Sequence, residues 1–196
     1  PCVAPCERAA LDVCVDRNVL LYGAAREPFP PSDRHARGTA GARQERFGAR
    51  ARVWSLAMVL TALTGAVMAT GVERQSGPFA MLGLAAASRE HWSRAGTWLH
   101  IERAEYCLAL THLSAGLHDQ AWLHAAQCLA VCPRHHAAPF EHLSAHDAMA
   151  RVHHARGDQA ELAHHAQAMW DVFDRLNTED QAACREVVDD VLALRA

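Results

Sequence analysis

Histidine and cysteine supply the chemistry this chain could perform. Thirteen of its fourteen histidines lie between His91 and His165. Cys128 and Cys132 stand four residues apart, so on a helix both thiols leave the same face. That spacing can give two soft ligands to zinc or copper, and His135 and His136 follow closely enough to complete a set. The same step separates His142 from His146, flanked by Glu141 and Asp147, and His153 continues roughly along that row. Neither pair makes a full motif. Leu143 follows His142, so the glutamate that acts as general base in H-E-x-x-H is missing. Both cysteines also fall in line with Ala121 and Ala125, where a thiol packs as a small hydrophobe. The histidine row is expected to be a solvated face. Cys2, Cys6 and Cys14 share a short stretch broken by Pro1 and Pro5, with no C-x-x-C among them.

Nothing else approaches catalytic quality, and an enzyme is not expected. A glycine-rich phosphate loop and G-x-S-x-G are both missing. Glu102 with Glu105, and Asp189 with Asp190, fall where solvated helix faces would place them. Trp92 and Trp98 flank a turn at Gly96, where they could wall a ligand site but are more simply accounted for by packing of a first hairpin. The net charge is −3 and the arginines of the body are scattered, which disfavours nucleic acid as a partner. Seven cysteines, an odd number in a chain of this size, point to reduced thiols and a cytoplasmic setting.

These residues must be positioned by helices. Residues 1 to 50 form a basic arm rich in proline, arginine and glycine, with Pro28, Pro30 and Pro31 blocking regular hydrogen bonding. Val53 to Val72 is uncharged; it contains three threonines and two glycines, so a buried first helix is expected over a membrane segment. From Phe79 the helical period persists to the end. One helix follows Thr97 and stops at Gly116. The next carries Ala121, Ala125, Cys128 and Cys132 inward before Pro133, and another buries Ala145, Ala148, Met149 and Val152 before Gly157. Asp158 then caps a helix with Leu162, Ala166, Met169, Trp170, Phe173 and Leu176 on one face. Thr178 with Gln181 suggests a capping box for the last helix, whose Cys184, Val187, Val188 and Val191 face inward. The repeat domain therefore spans 53–196 and is all-α.

A repeat underlies the pattern. A-G-L-H-D-Q-A-W-L-H-A-A-Q-C, starting at Ala115, and R-G-D-Q-A-E-L-A-H-H-A-Q-A, starting at Arg156, each follow a glycine with a helix of small residues. An offset of about forty residues signals helical hairpins that stack to share a core. Between Met81 and Leu194 the chain resembles a group of uncharacterised bacterial proteins with tetratricopeptide-like repeats. The resemblance rests on His91 and Trp92, on Cys128 and Cys132, and on Ala148 through Asp158. It departs in P-R-H-H-A-A-P after Cys132 and in the first seventy residues. What it implies is stacked antiparallel hairpins in an α-α superhelix, with no particular activity. The expected function is a scaffold that binds a protein or peptide through Trp122, His124, Gln127, His164 and Gln167, placed alike by the two repeats, and a homodimer is compatible with it. No cofactor is required. The alternative is a zinc or copper protein using Cys128, Cys132, His142 and His146.

Overall fold

The computed structural model describes residues 78–196 continuously. Before them it describes only the helical positions Ala49, Arg52, Val53, Leu56, Ala57, Leu60, Leu63 and Thr64. The arm expected over residues 1 to 50 lies outside the described residues apart from Ala49. Within the 53–72 segment, Ala57 is buried against Trp92 and Ala104, and its carbonyl accepts a hydrogen bond from the Ser88 hydroxyl at 3.3 Å. Among the described residues no helix is long and apolar enough to cross a membrane.

The described residues contain no strand. From Pro78 the chain runs through α1 (Pro78–Ala95), α2 (Trp98–Ser114), α3 (His118–Arg134), α4 (Pro139–Arg156), α5 (Gln159–Phe173) and α6 (Thr178–Ala193). Proline opens α4 at its first turn, where its fixed φ is helical already and its missing N–H costs nothing. Two helices close alike. Gly116 and Gly157 adopt φ of 71° and 73°, a left-handed conformation open to glycine at little cost. The following residues return hydrogen bonds into the helix, Leu117 N–H to the His112 carbonyl and Asp158 N–H to that of His153, each at 2.9 Å. Asp158 caps α5 as expected, accepting from the Glu161 N–H at 3.2 Å. The cap of α6 is Asn177 rather than Thr178: its side-chain oxygen accepts from Asp180 N–H at 2.9 Å. Gln181 turns back to the Phe173 carbonyl instead of closing a box.

The helices alternate between two layers. α2 packs against α4 and α4 against α6, whereas α3 and α5 have at most slight contact. Two clusters form the core. One joins Tyr106 and Leu110 of α2 to Ala121, Ala125, Cys128 and Cys132 of α3 and to Ala145, Met149 and Val152 of α4. The other joins Leu143 and Ala150 of α4 to Leu162, Met169 and Phe173 of α5 and Val187 and Val191 of α6. α4 belongs to both, which is why it is covered nearly all round. The alanines let the helix axes approach closely.

α2 is buried without interruption from Glu102 to Thr111, charged residues included. This overturns the expectation that Glu102 and Glu105 sit on a solvated face; each is 1% exposed. A buried charge is tolerated only when paired. Arg103 meets Glu141 at 3.0 Å. Asp147 takes the Tyr106 hydroxyl at 2.7 Å and Arg151 Nε at 2.8 Å. Glu102 accepts the Cys128 thiol at 2.9 Å, and Glu105 accepts from Arg89 at 2.9 Å and His124 at 2.7 Å. Of the other expected pair, Asp189 is exposed and Asp190 partly so, 3.7 Å from Arg151. Asp147→Ala removes the nearer carboxylate from the buried Arg151 and the acceptor from Tyr106, and should lower the unfolding free energy in urea by about 3 kcal/mol. Asp147→Asn, which keeps an acceptor for Tyr106 and loses only the charge, should cost less; equal losses would mean that the Tyr106 hydrogen bond is immaterial, and an undiminished stability in Asp147→Asn that the charge pair is.

Candidate metal centre between α4 and α5

α4 and α5 form an antiparallel hairpin closed at Gly157, which brings the last turns of α4 beside the first turns of α5. His146 and His153 lie seven residues apart, two helical turns, and so share a face of α4. Glu161 and His165, one turn apart, share a face of α5. These faces meet. His153 and His165 stack with ring centroids 5.5 Å apart, and the Nδ1 atoms of His146 and His165 are 3.0 Å apart. His165 Nε2 faces Glu161 Oε2 at 3.9 Å. Among the described residues, His153, Glu161 and His165 form the one group of three whose ligand atoms all lie within 4.8 Å of one another.

Burial is graded across the cluster. His153 and His165 are buried, His146 is half-buried and Glu161 is exposed, so the group opens to solvent on the α5 side. His153 Nδ1 is buried without a hydrogen bond; the Asp158 carboxylate stands 3.4 Å away. Between His146 and His165 one Nδ1 must donate and the other accept, so the contact holds a single proton. Burial, reinforced by neighbouring imidazoles, pushes both rings down to about 4. They are therefore neutral at pH 7, the form that coordinates metals.

The residues singled out from the sequence separate into groups. His146 belongs to the cluster and His142 lies one turn before it, half-buried, disfavouring charge on His146. Cys128 and Cys132 are fully buried in the core. Burial, with Glu102 as the next cause, raises both thiols, Cys132 to about 12, so both stay protonated in the metal-free chain. His135 is exposed and stacked on Trp98 at 4.8 Å; His136 is exposed at φ 51°. Trp92 lies in the core, stacked on His100 at 4.2 Å, as hairpin packing requires. Trp122 packs half-buried on the first cluster beneath Arg156, and His124 is held by Glu105. Gln127, His164 and Gln167 are exposed.

The solvated histidine row is corrected too: His153 is buried and His142 and His146 are half-buried, because α5 covers that face of α4. Of the described histidines only His135, His136 and His164 are exposed. Glu161 and the α5 side of the cluster were not singled out from the sequence. The signal was present: His112 and His124 of the earlier repeat stand 41 residues before His153 and His165.

The depressed imidazoles set a direction for acid sensitivity. An unfolded histidine titrates near ~6.5, whereas His146 and His165 resist protonation until about 4. Between those values the unfolded chain binds more protons, so stability is complete above pH 6.5 and drains as pH falls towards 4. His112, depressed by burial, acts in the same sense. Glu105 acts in the same sense over a more acid range: burial alone would raise it, but His124 and Arg89 outweigh that and hold it below the ordinary carboxylate value, so its contribution is lost only at lower pH. In chelator, unfolding free energy at pH 5 should be lower than at pH 7 by on the order of 2 kcal/mol. Equal urea midpoints at the two pH values would contradict the buried, neutral state of the cluster.

No protein-family model, no curated protein and no solved structure matches this chain.

Proposed function

We propose that this chain is a helical-array protein that binds a divalent transition-metal ion of the zinc or copper kind between α4 and α5. The observation that carries this reading is the convergence of His153, Glu161 and His165. Coordination at zinc, with Zn–N and Zn–O distances near ~2.1 Å, needs tetrahedral ligand atoms about 3.4 Å apart. The ligand atoms of the three, all within 4.8 Å of one another, lie little more than an ångström from that spacing. Two imidazoles and one carboxylate suit zinc, copper or nickel, whereas calcium and magnesium call for oxygen donors.

His165 Nε2, facing Glu161, is the ligand atom. Its Nδ1–H then donates to His146 Nδ1, the partner that fixes tautomer and ring orientation at metal sites. Three protein ligands leave a fourth position on the solvent side for water or a donor from another molecule. Zinc titration of the chelator-stripped chain tests this. His165→Ala should weaken binding by more than about 100-fold, and His146→Ala, which removes only the orienting partner, by about 10–100-fold. Unchanged affinity in His165→Ala would overturn the reading.

A tetratricopeptide-like scaffold is the second reading, favoured by the matching closures at Gly116 and Gly157. The polar surface available to a protein or peptide is the outer side of α3 and α5, where Gln127, His164 and Gln167 are exposed, and not α2 or α4, which are buried almost throughout. Replacing His124, Gln127, His164 and Gln167 with alanine should preserve the helical circular dichroism and abolish retention of a co-purifying partner. Undiminished retention would leave the metal reading alone.

A further inference from the structure

The 41-residue step that relates Gly116 to Gly157 also relates His112 to His153 and His124 to His165. It carries Glu105 onto His146 and Gln120 onto Glu161. The earlier repeat therefore places a second pair of imidazoles, one on α2 and one on α3, where the later repeat places its pair on α4 and α5. The rings of His112 and His124 are 4.8 Å apart, against 5.5 Å for His153 and His165. The contact between His124 and Glu105 spans the same 19 residues as that between His165 and His146.

We propose that His112 and His124 form a second transition-metal site, a two-imidazole counterpart of the α4–α5 centre. Its own geometry supports this apart from the repeat. The Leu108 carbonyl, 2.8 Å from His112 Nδ1, can only accept, so that nitrogen carries the proton. Glu105, 2.7 Å from His124 Nδ1, accepts in the same way, and Arg89 on its other oxygen holds the carboxylate in place. Both rings thus turn Nδ1 to a protein acceptor, and neither Nε2 makes a hydrogen bond among the described residues, which leaves Nε2 of each as the nitrogen open to a metal. A backbone carbonyl behind one ring and a carboxylate behind the other are the orienting partners that metal-bound histidines use. Each ring is half-buried, so an ion can reach Nε2 while the outer partners stay dry.

The two sites differ in one ligand. Gln120 stands where the later repeat has Glu161, so the first repeat offers two imidazoles and no anionic ligand. The remaining coordination positions fall to water or the neutral Gln120 amide. The second site should therefore bind zinc at least about tenfold more weakly than the first, the cost of losing a ligand being no smaller than that of losing an orienting partner.

The inference rests on the α4–α5 reading only through the repeat, and the test separates the two. Zinc is titrated calorimetrically into the full, chelator-stripped chain and into the double variants H112Q/H124Q and H153Q/H165Q. The wild type should take up two ions with distinct affinities. H112Q/H124Q should lose the weaker and keep the tighter; H153Q/H165Q should do the reverse. A tighter event retained in H153Q/H165Q but lost in H112Q/H124Q would sink the α4–α5 reading and leave this one standing. Uptake unaltered in H112Q/H124Q would overturn it, as would a single event lost only in H153Q/H165Q. Should H112Q/H124Q lose its helical circular dichroism, ring ¹⁵N shifts of the wild type decide: zinc must move Nε2 of both His112 and His124, and static signals from either would refute the site. Glu105→Gln, which leaves both ligands, should weaken the second event by about 10–100-fold without affecting the first.

Discussion

The arrangement depends on the pairing of charges inside α2 and α4. Alanine-rich helices pack closely but indifferently, since one small residue resembles the next and a slip of one turn buries much the same area. Charged contacts do not tolerate such slippage. Arg103 reaches Glu141, Tyr106 reaches Asp147, and Arg151 bridges Asp147 and Asp190, so α2, α4 and α6 are tied at fixed heights. Arg89 and His124 do the same for α1 and α3 through Glu105. Such pairs add little net stability over a well-packed apolar substitute, but breaking one partner is costly, which makes them selectors of register.

Register in turn decides what the histidines can do. Two imidazoles on separate helices approach only if the helices neither slide nor rotate, and the proposed ligand sets are built across helix pairs. A displacement of one turn, about 5.4 Å, would take His165 out of reach of His146. Burial contributes the other requirement. Rings enclosed by the hairpin and crowded by one another remain neutral near pH 7, whereas the same residues on an open face would compete with protons.

Much of the helical framework was legible in the sequence because it rests on local rules. The stripe of Leu162, Ala166, Met169 and Phe173 is a period that any core must cover, and glycine at 116 and 157 marks closures that other residues adopt only with strain. The interior charges were not legible. On a helix apolar around most of its circumference, periodicity cannot say whether Glu102 and Glu105 point inward, because the residues that neutralise them lie on other helices. The histidine cluster escaped for a similar reason: spacing along α4 showed His142 and His146 on one side, but the partners that matter come from α5. The cap of α6 missed by one position, since Asn177 and Thr178 are both good caps and only backbone geometry distinguishes them.

The two left-handed glycines have a consequence for how such a chain can grow. Because Gly116 and Gly157 turn the backbone through nearly the same angle, the stretch between them leaves one hairpin as it entered from the last. In an array whose members contact mainly their neighbours, a segment with matching ends can be copied in tandem without redesigning either terminus. Duplication of that segment would lengthen the array by one hairpin and carry another pair of histidines with it, so that the number of imidazole pairs scales with chain length.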